Sequence, residues 1–339
     1  MSFEFHRRQL IKTSAVAAMV AAAGPAVFGA RAMAQDATAE ATAAATSHQA
    51  VAGPGEDEFT VTHAQGETVV AANPEVVLSY DIATIDTMQA LDVKVAGMPE
   101  VSGADAYIDS DGVENIGSLF EPDYEKVNEM QPDLIVVAGR SAAVFEDLNK
   151  IAPTIDVTWE GSDFLGDFEA NAVLLAALFD KLDVAQPVID DVKARAAALA
   201  ETAKGIGTGL VIMTSGGSVT ALAPGNARAG RGALIYETLG VQLPVEDLEA
   251  ATHGEPISFE FLLEHNPDWL FVIDRDKATG AEDAQPAEQV LDNDIMHETT
   301  AWQNDQIMYL NPFDWYIITG AGLNSMQRML DELETALNG

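Results

Sequence analysis

The sequence predicts an α/β chain of two similar lobes bridged by a long helix. Three observations carry this expectation. Apolar runs of strand length alternate with amphipathic helical stretches along most of the chain. The segment SFEFLLEHNPDWLFVIDR at 258–275 echoes DYEKVNEMQPDLIVVAGR at 123–140, 135 residues earlier. Between the two copies, residues 165–204 are almost all helix formers.

Composition narrows the function. The 339 residues are 48% apolar, enough to bury a core, and the length fits about two domains. There are 54 acidic and 17 basic residues, a formal net charge of −37. A field of that sign repels nucleic acid and anionic membrane surfaces, so no nucleic-acid partner is expected. Cysteine is absent. That excludes disulfides, thiolate metal sites, iron–sulfur clusters and thiol catalysis.

The N-terminus has the layout of a cleaved export signal. Arg7, Arg8 and Lys12 precede a weakly apolar, alanine-rich stretch broken by Gly24 and Pro25, and Ala32-Met33-Ala34 supplies the small residues a signal peptidase reads. The paired arginines followed by Leu10, Ile11 and Lys12 are similar to a twin-arginine signal. Residues 1–34 are therefore expected to be removed. Residues 35–57 lack aromatics and large aliphatics and read as a flexible leader.

Residues 58–164 form the first lobe. Phe59 to Val70 alternates apolar and polar residues and reads as a hairpin turning near Gln65-Gly66. Val76–Ser79 and Val93–Ala96 are short strands, with a helix over 82–91 between them that Asp81 can cap. Tyr124, Val127 and Met130 mark one helix face, Pro132 ends that helix, and Leu134–Ala138 is a buried strand. Residues 165–205 are the bridge, with Asp183 to Pro187 as its expected break. Residues 206–339 form the second lobe, where Leu210–Thr214 restarts the strand–helix pattern.

Arginine is scarce beyond the export signal: 140, 195, 228, 231, 275 and 328. Arg195 and Arg328 fall in amphipathic helical sequence and are expected on solvated faces. Arg140 and Arg275 each lie just past a buried strand, and Arg228 and Arg231 lie in the loop PGNARAGRG. In α/β proteins ligands bind at the carboxyl ends of strands. Converging arginines inside an acidic protein call for a polyanionic ligand; without convergence they are surface ion pairs. His253 in ATHGEPIS and Tyr316 in NPFDWYIITGAG offer one imidazole and one phenol, donors that suit ferric iron. On spacing alone, His253 reads as a solvated loop residue and Tyr316 as a core residue. Acidic pairs abound at this charge density, but no GxSxG, HExxH, GxGxxG or GxxxxGK[ST] motif anchors an enzyme.

From about residue 59 to the end, the chain resembles the periplasmic binding proteins of iron–siderophore ABC importers, and most of all the branch that binds ferric catecholates. The segments that carry the resemblance are IDTMQALDVKVAG, IGSLFEPDYEKVNEMQPDLIVVAGR, THGEPISFEFLLEHNPDWLFVIDR and MYLNPFDWYIITGAGLNS. The resemblance implies a bilobal fold with a shallow cleft and one long bridging helix, and a non-enzymatic carrier in the periplasm. It implies three arginines around the ligand. Arg140 and Arg275 take two of those places, and Arg231 or Arg228 the third, because this chain has extra residues in that loop. It places His253 and Tyr316 as iron ligands for a siderophore with four donor atoms, with Trp315 beside them at the ligand. It makes Glu121 and Glu255, each directly before a proline, the acids that engage the inner-membrane ABC permease. The protein is then expected as a monomer with no intrinsic cofactor, and Fe(III) arrives as its siderophore complex. A haem, cobalamin or hydroxamate-siderophore carrier is the alternative within the class, and an exported α/β hydrolase the alternative outside it.

Overall fold

Each lobe is built on a five-stranded sheet. The computed structural model describes residues 49–52, 57–159, 163–224, 231–245, 248, 255–281, 284–319 and 322–338. In the first lobe, strands β4 (Val77–Ser79), β5 (Gly97–Met98), β6 (Glu114–Asn115), β7 (Leu134–Val137) and β8 (Thr154–Asp156) lie in the order β6-β5-β4-β7-β8, all parallel. In the second, β9 (Gly209–Ser215), β10 (Ser218–Leu222), β11 (Glu255–Ile257), β12 (Trp269–Asp274) and β13 (Ile307–Leu310) lie in the order β11-β10-β9-β12-β13. Here β9, β12 and β13 are parallel, while β10 and β11 are antiparallel additions. A meander of β1 (Gln49–Ala52), β2 (Glu58–His63) and β3 (Gly66–Ala71) precedes both. It docks on β8, where Ala64 N–H donates to the Asp156 carbonyl and the Thr68 hydroxyl to the Thr154 carbonyl.

The helices that position the site are α1 (Ile82–Ala90), α2 (Tyr124–Met130), α3 (Phe164–Leu178), α4 (Leu182–Ala203), α5 (Phe259–His265), α6 (Arg275–Thr279) and α7 (Leu323–Asn338). Both sheets bury both faces, which is why their strands are apolar runs and not alternating ones. In β7, Leu134 and Val136 face one core while Ile135 and Val137 face another. In β12, Phe271 and Ile273 face the bridge while Leu270 and Val272 face the opposite side. The bridging helix α3 feeds two cores. Phe164, Phe168, Ala172 and Ala176 join the second lobe's core, and Leu174 and Leu178 join the first lobe's.

The 135-residue echo is structural. Helices α2 and α5 are both seven residues long. Side chains cap both: Asp123 accepts from Lys126 N–H, and Ser258 from Phe261 N–H. Both end on a left-handed residue, Gln131 at φ 48° and Asn266 at φ 41°. The Pro-Asp pair that follows has a double use. Proline stops the helix, and the aspartate grips the start of the neighbouring strand. Asp133 accepts from Glu75 and Val76 N–H, and Asp268 from Thr208 N–H.

Several expectations are corrected. Gln49–Ala52, assigned to the flexible leader, pairs antiparallel with Phe59–Thr62 of β2. The second strand of the first lobe falls at Gly97–Met98, beyond the expected 93–96. The bridge breaks before Asp183: Asp180 adopts φ 54° and Lys181 N–H reaches back to the Ala176 carbonyl, a helix-ending pattern. Pro187 sits as the sixth residue of α4, where it removes one helical hydrogen bond without ending the helix. Arg195 and Arg328 are paired, not merely solvated. Arg195 binds Glu334 and Asp331 and so ties α4 to α7. Arg328 reaches Asp314 and the fully buried Asp86.

Asp86 ties the two lobes by hydrogen bonds. Its Oδ2 accepts from Asn324 and Ser325 N–H at the start of α7, and its Oδ1 accepts from Arg328 Nη2 at 3.1 Å. A carboxylate on α1 thus caps a helix from the far end of the chain. Beside it, Tyr107 stacks on Phe313 with ring centroids 4.5 Å apart, and its hydroxyl hydrogen-bonds the Asn311 side chain at 3.1 Å.

Candidate ligand-binding site

The carboxyl ends of the central strands supply the site. Arg140 follows β7 on a tight turn through Gly139, whose φ of +42° suits glycine. The buried Ser141 pins that turn by donating from Oγ toward the Tyr80 and Ala138 carbonyls, while Oγ accepts from Ala138 N–H. Arg275 opens α6 directly after β12. Asp274 caps that helix by accepting from Lys277 N–H. Tyr316 lies on a π-helical turn, Phe313–Ile318, just past β13. Arg231 precedes a second π-helical turn, Leu234–Thr238.

Three guanidinium groups surround one ring. The Arg231, Arg140 and Arg275 guanidinium carbons lie 4.3, 5.4 and 6.0 Å from the Tyr316 ring centroid. Arg275 Nε donates to the Tyr316 hydroxyl at 3.0 Å, and Arg140 Nη2 donates to the Tyr316 carbonyl. Arg275 Nη1 also donates to Ser215 Oγ at 2.8 Å. Arg231 is buried, and its Nε has no hydrogen-bond partner among the described residues. Burial brings its pKa down to about 10, opposed by Tyr316 and helped by the charges of Arg140 and Arg275. Burial also lowers Arg140, against the pull of Tyr316 and Asp81. Even so lowered, Arg231 remains a cation at neutral pH. The arrangement holds like charges together around an orphaned donor, and an anion placed there relieves both costs.

Of the residues singled out from sequence, Arg140, Arg231, Arg275 and Tyr316 come together. Trp315 does not: it is fully buried and its Nε1 donates to Glu332 at 2.8 Å, so the indole belongs to the core behind the site. The reason is local. On the π-helical turn, Tyr316 points to the arginines while its neighbour is directed inward. Arg228 and His253 lie outside the described residues. Glu121 is exposed on the loop before α2, and Glu255 opens β11 before α5, so each acid precedes the matching helix of its copy of the repeat, one residue out of register with the other. Among the described residues there is no group of three or more His, Asp or Glu side chains that could hold a metal ion, and no helix is long and apolar enough to cross a membrane. Sequence reasoning missed Ser215 and Asp276. Asp81, expected as the cap of α1, does cap it by accepting from Thr84 N–H, and burial raises its pKa against the hydrogen bonds from Thr84 and the pull of Arg140.

Comparison with known proteins places the chain in a family. The family model described as periplasmic binding protein matches residues 76–312, which takes in both sheets. The chain belongs to the periplasmic binding protein family. A solved periplasmic binding protein of this family from Xylanimonas cellulosilytica is 42% identical, with a TM-score of 0.75, over 83% of this chain and 93% of that one. The petrobactin-binding protein YclQ of Bacillus subtilis is 34% identical over 289 residues, 83% of this chain and 89% of that protein. Its solved structure gives a TM-score of 0.76. The catecholate-siderophore binding protein VctP of Vibrio cholerae is 28% identical with a TM-score of 0.75, over 82% of this chain and 99% of that one. Proteins of this family and the relatives named are substrate-binding transport proteins, not enzymes.

Proposed function

We propose that the chain captures a ferric catecholate siderophore in the periplasm and delivers it to an ABC importer of the inner membrane. The convergence of Arg140, Arg231 and Arg275 on Tyr316, within a chain of net charge −37, carries this reading. A ferric complex of two catecholates is a monoanion and one of three is a trianion. Their oxygens accept charge-assisted hydrogen bonds from the guanidinium fork. A neutral hydroxamate complex would leave the three cations uncompensated. The names of YclQ and VctP, a petrobactin binder and a catecholate-siderophore binder, support the same class.

In this reading Tyr316 and His253 complete the octahedral iron site when the siderophore offers four donors. Residues 1–34 direct export by the twin-arginine route. Glu121 and Glu255, one on each lobe, meet basic pockets of the permease, and the protein works as a monomer. The test is a titration of the mature protein with ferric bis-catecholate and ferric tris-hydroxamate complexes, read by tryptophan quenching and by the ligand-to-metal absorption band. Tight binding of the first and weak binding of the second is expected. Tyr316→Phe and His253→Ala should each shift the band. Preference for the hydroxamate, or no binding of either, overturns the proposal.

A further inference from the structure

We infer that Ser215 is a positioning residue that sets the plane of Arg275 through a relay to Asp276; the inference rests on the ligand-binding reading of the arginine cluster. The relay is continuous. Arg275 Nη1 donates to Ser215 Oγ at 2.8 Å, and Ser215 Oγ donates onward to Asp276 Oδ1 at 3.1 Å. Gly216 N–H donates to Asp276 Oδ2 at 2.6 Å, so both carboxylate oxygens are held. Asp276 is buried, and its nearest oxygen stands 3.9 Å from Arg275 Nη1, too far for a direct hydrogen bond. The serine hydroxyl spans that gap because it accepts and donates at once.

The repeat makes the arrangement specific to one lobe. Asp276 and Ser141 occupy the same place, directly after the arginine of each copy. Among the described residues Ser141 holds only backbone: it bonds Ala138 and the Tyr80 carbonyl and leaves Arg140 to find the Tyr316 carbonyl. Asp276 instead reaches across to the end of β9, to the residue that grips its own arginine. Arg275 is thereby clamped at two places, Nε by the Tyr316 hydroxyl and Nη1 by Ser215. Two contacts on one planar group fix its plane, and its remaining donors meet a ligand without reorganisation. Arg275 needs this more than Arg231 does. Its side chain is 43% exposed, whereas Arg231 is immobilised by burial.

The experiment is a double-mutant cycle on the mature protein, with a ferric bis-catecholate complex as the probe. Ser215→Ala should weaken binding roughly 3- to 10-fold, the effect of one hydrogen bond to a charged group. Ser215→Thr, which keeps the hydroxyl, should restore most of it. In an Arg275→Ala background, Ser215→Ala should add almost nothing. A ligand-free measurement runs beside it: the Arg275 Nε–Hε NMR signal, assigned by its loss in Arg275→Lys, should shift and exchange faster in Ser215→Ala. An equal loss in both backgrounds, or an unmoved Arg275 signal in Ser215→Ala, overturns the relay. Failure of the wild type to bind the probe overturns the ligand reading instead, and the NMR comparison then decides the relay by itself.

Discussion

The guanidinium of Arg231 lies against the Tyr316 ring at 4.3 Å, closer than either of the other two arginines, and it is the one whose Nε lacks a protein partner among the described residues. Arg140 and Arg275 each spend a donor on Tyr316 itself. Arg231 spends none there and, among the described residues, gains the face of the ring. Its uncompensated donor identifies it as the arginine with most to gain from an anion.

Arg231→Ala should therefore cost more affinity for a ferric catecholate than Arg140→Ala. A charge-assisted hydrogen bond made in place of an orphaned buried donor contributes about 1.5–3 kcal/mol, or roughly 10- to 100-fold in Kd. Arg231→Lys should recover only part of this, because a point charge cannot reproduce the planar fork. Isothermal titration of the three variants would check the ranking, and an Arg231→Ala protein that binds as the wild type would refute it.

Asp86 and Arg328 form the second relationship of consequence. Removing Arg328 leaves Asp86 and Asp314, both nearly inaccessible to solvent, without their cation. Breaking a buried pair from one side costs about 3–5 kcal/mol, and the 32% exposure of the Arg328 side chain argues for the lower end. Arg328→Met should lower Tm clearly in a thermal melt at neutral pH. The deficit should shrink in mild acid, where the two carboxylates take up protons and no longer need a partner. An equal deficit at both pH values would mean that lost packing, and not charge, explains the effect.

How much of this was legible beforehand follows from the range of each signal. The repeat could be read because Pro132-Asp133 and Pro267-Asp268 act on their own helix and the adjoining strand. The arginine cluster could be read because Arg140 sits just past β7 and Arg275 directly after β12, where the topology faces a ligand. Trp315 could not be placed. The acceptor for its indole, Glu332, comes from α7, and adjacency to Tyr316 says nothing of which way a π-helical turn directs each side chain. Arg328 and Ser215 were equally silent, since Asp86 is 242 residues and Arg275 60 residues away in sequence. The bridge broke at Asp180 and not at Pro187 because a proline early in a helix forfeits one bond, whereas a left-handed residue ends it.

Stability should rise from neutral pH into mild acid. Burial raises the pKa values of Asp81, Asp86, Asp314 and Glu332 in the folded protein, and in each case the opposing hydrogen bonds and arginines do not offset it. A carboxyl with a raised folded pKa binds more protons folded than unfolded. Its contribution to stability is therefore lost as pH climbs from the unfolded value through the folded one. The lowered pKa of Glu334, set by Arg195, works the other way, but that group is largely solvated and counts for less. The net charge of −37 adds self-repulsion in the same direction as the buried carboxyls. Calorimetry at pH values from about 5 to about 8 should show Tm falling as pH rises. A rising Tm would show that the paired surface acids outweigh the buried ones.

Salt separates local from long-range electrostatics at the site. The acidic field of the whole chain opposes entry of an anionic complex, while the three arginines attract it at a few ångströms. Raising ionic strength to physiological levels shortens the Debye length to about 8 Å. That screens the distant carboxylates far more than contacts inside the cluster, which are shorter and partly desolvated. Affinity for a ferric catecholate should therefore hold constant or tighten as salt is added, and the association rate should rise. This is the opposite of the steep weakening seen when exposed basic patches bind polyanions. Stopped-flow quenching over a salt series would measure both quantities. A steep loss of affinity with salt would place the attraction on an exposed surface and away from the arginines gathered at Tyr316.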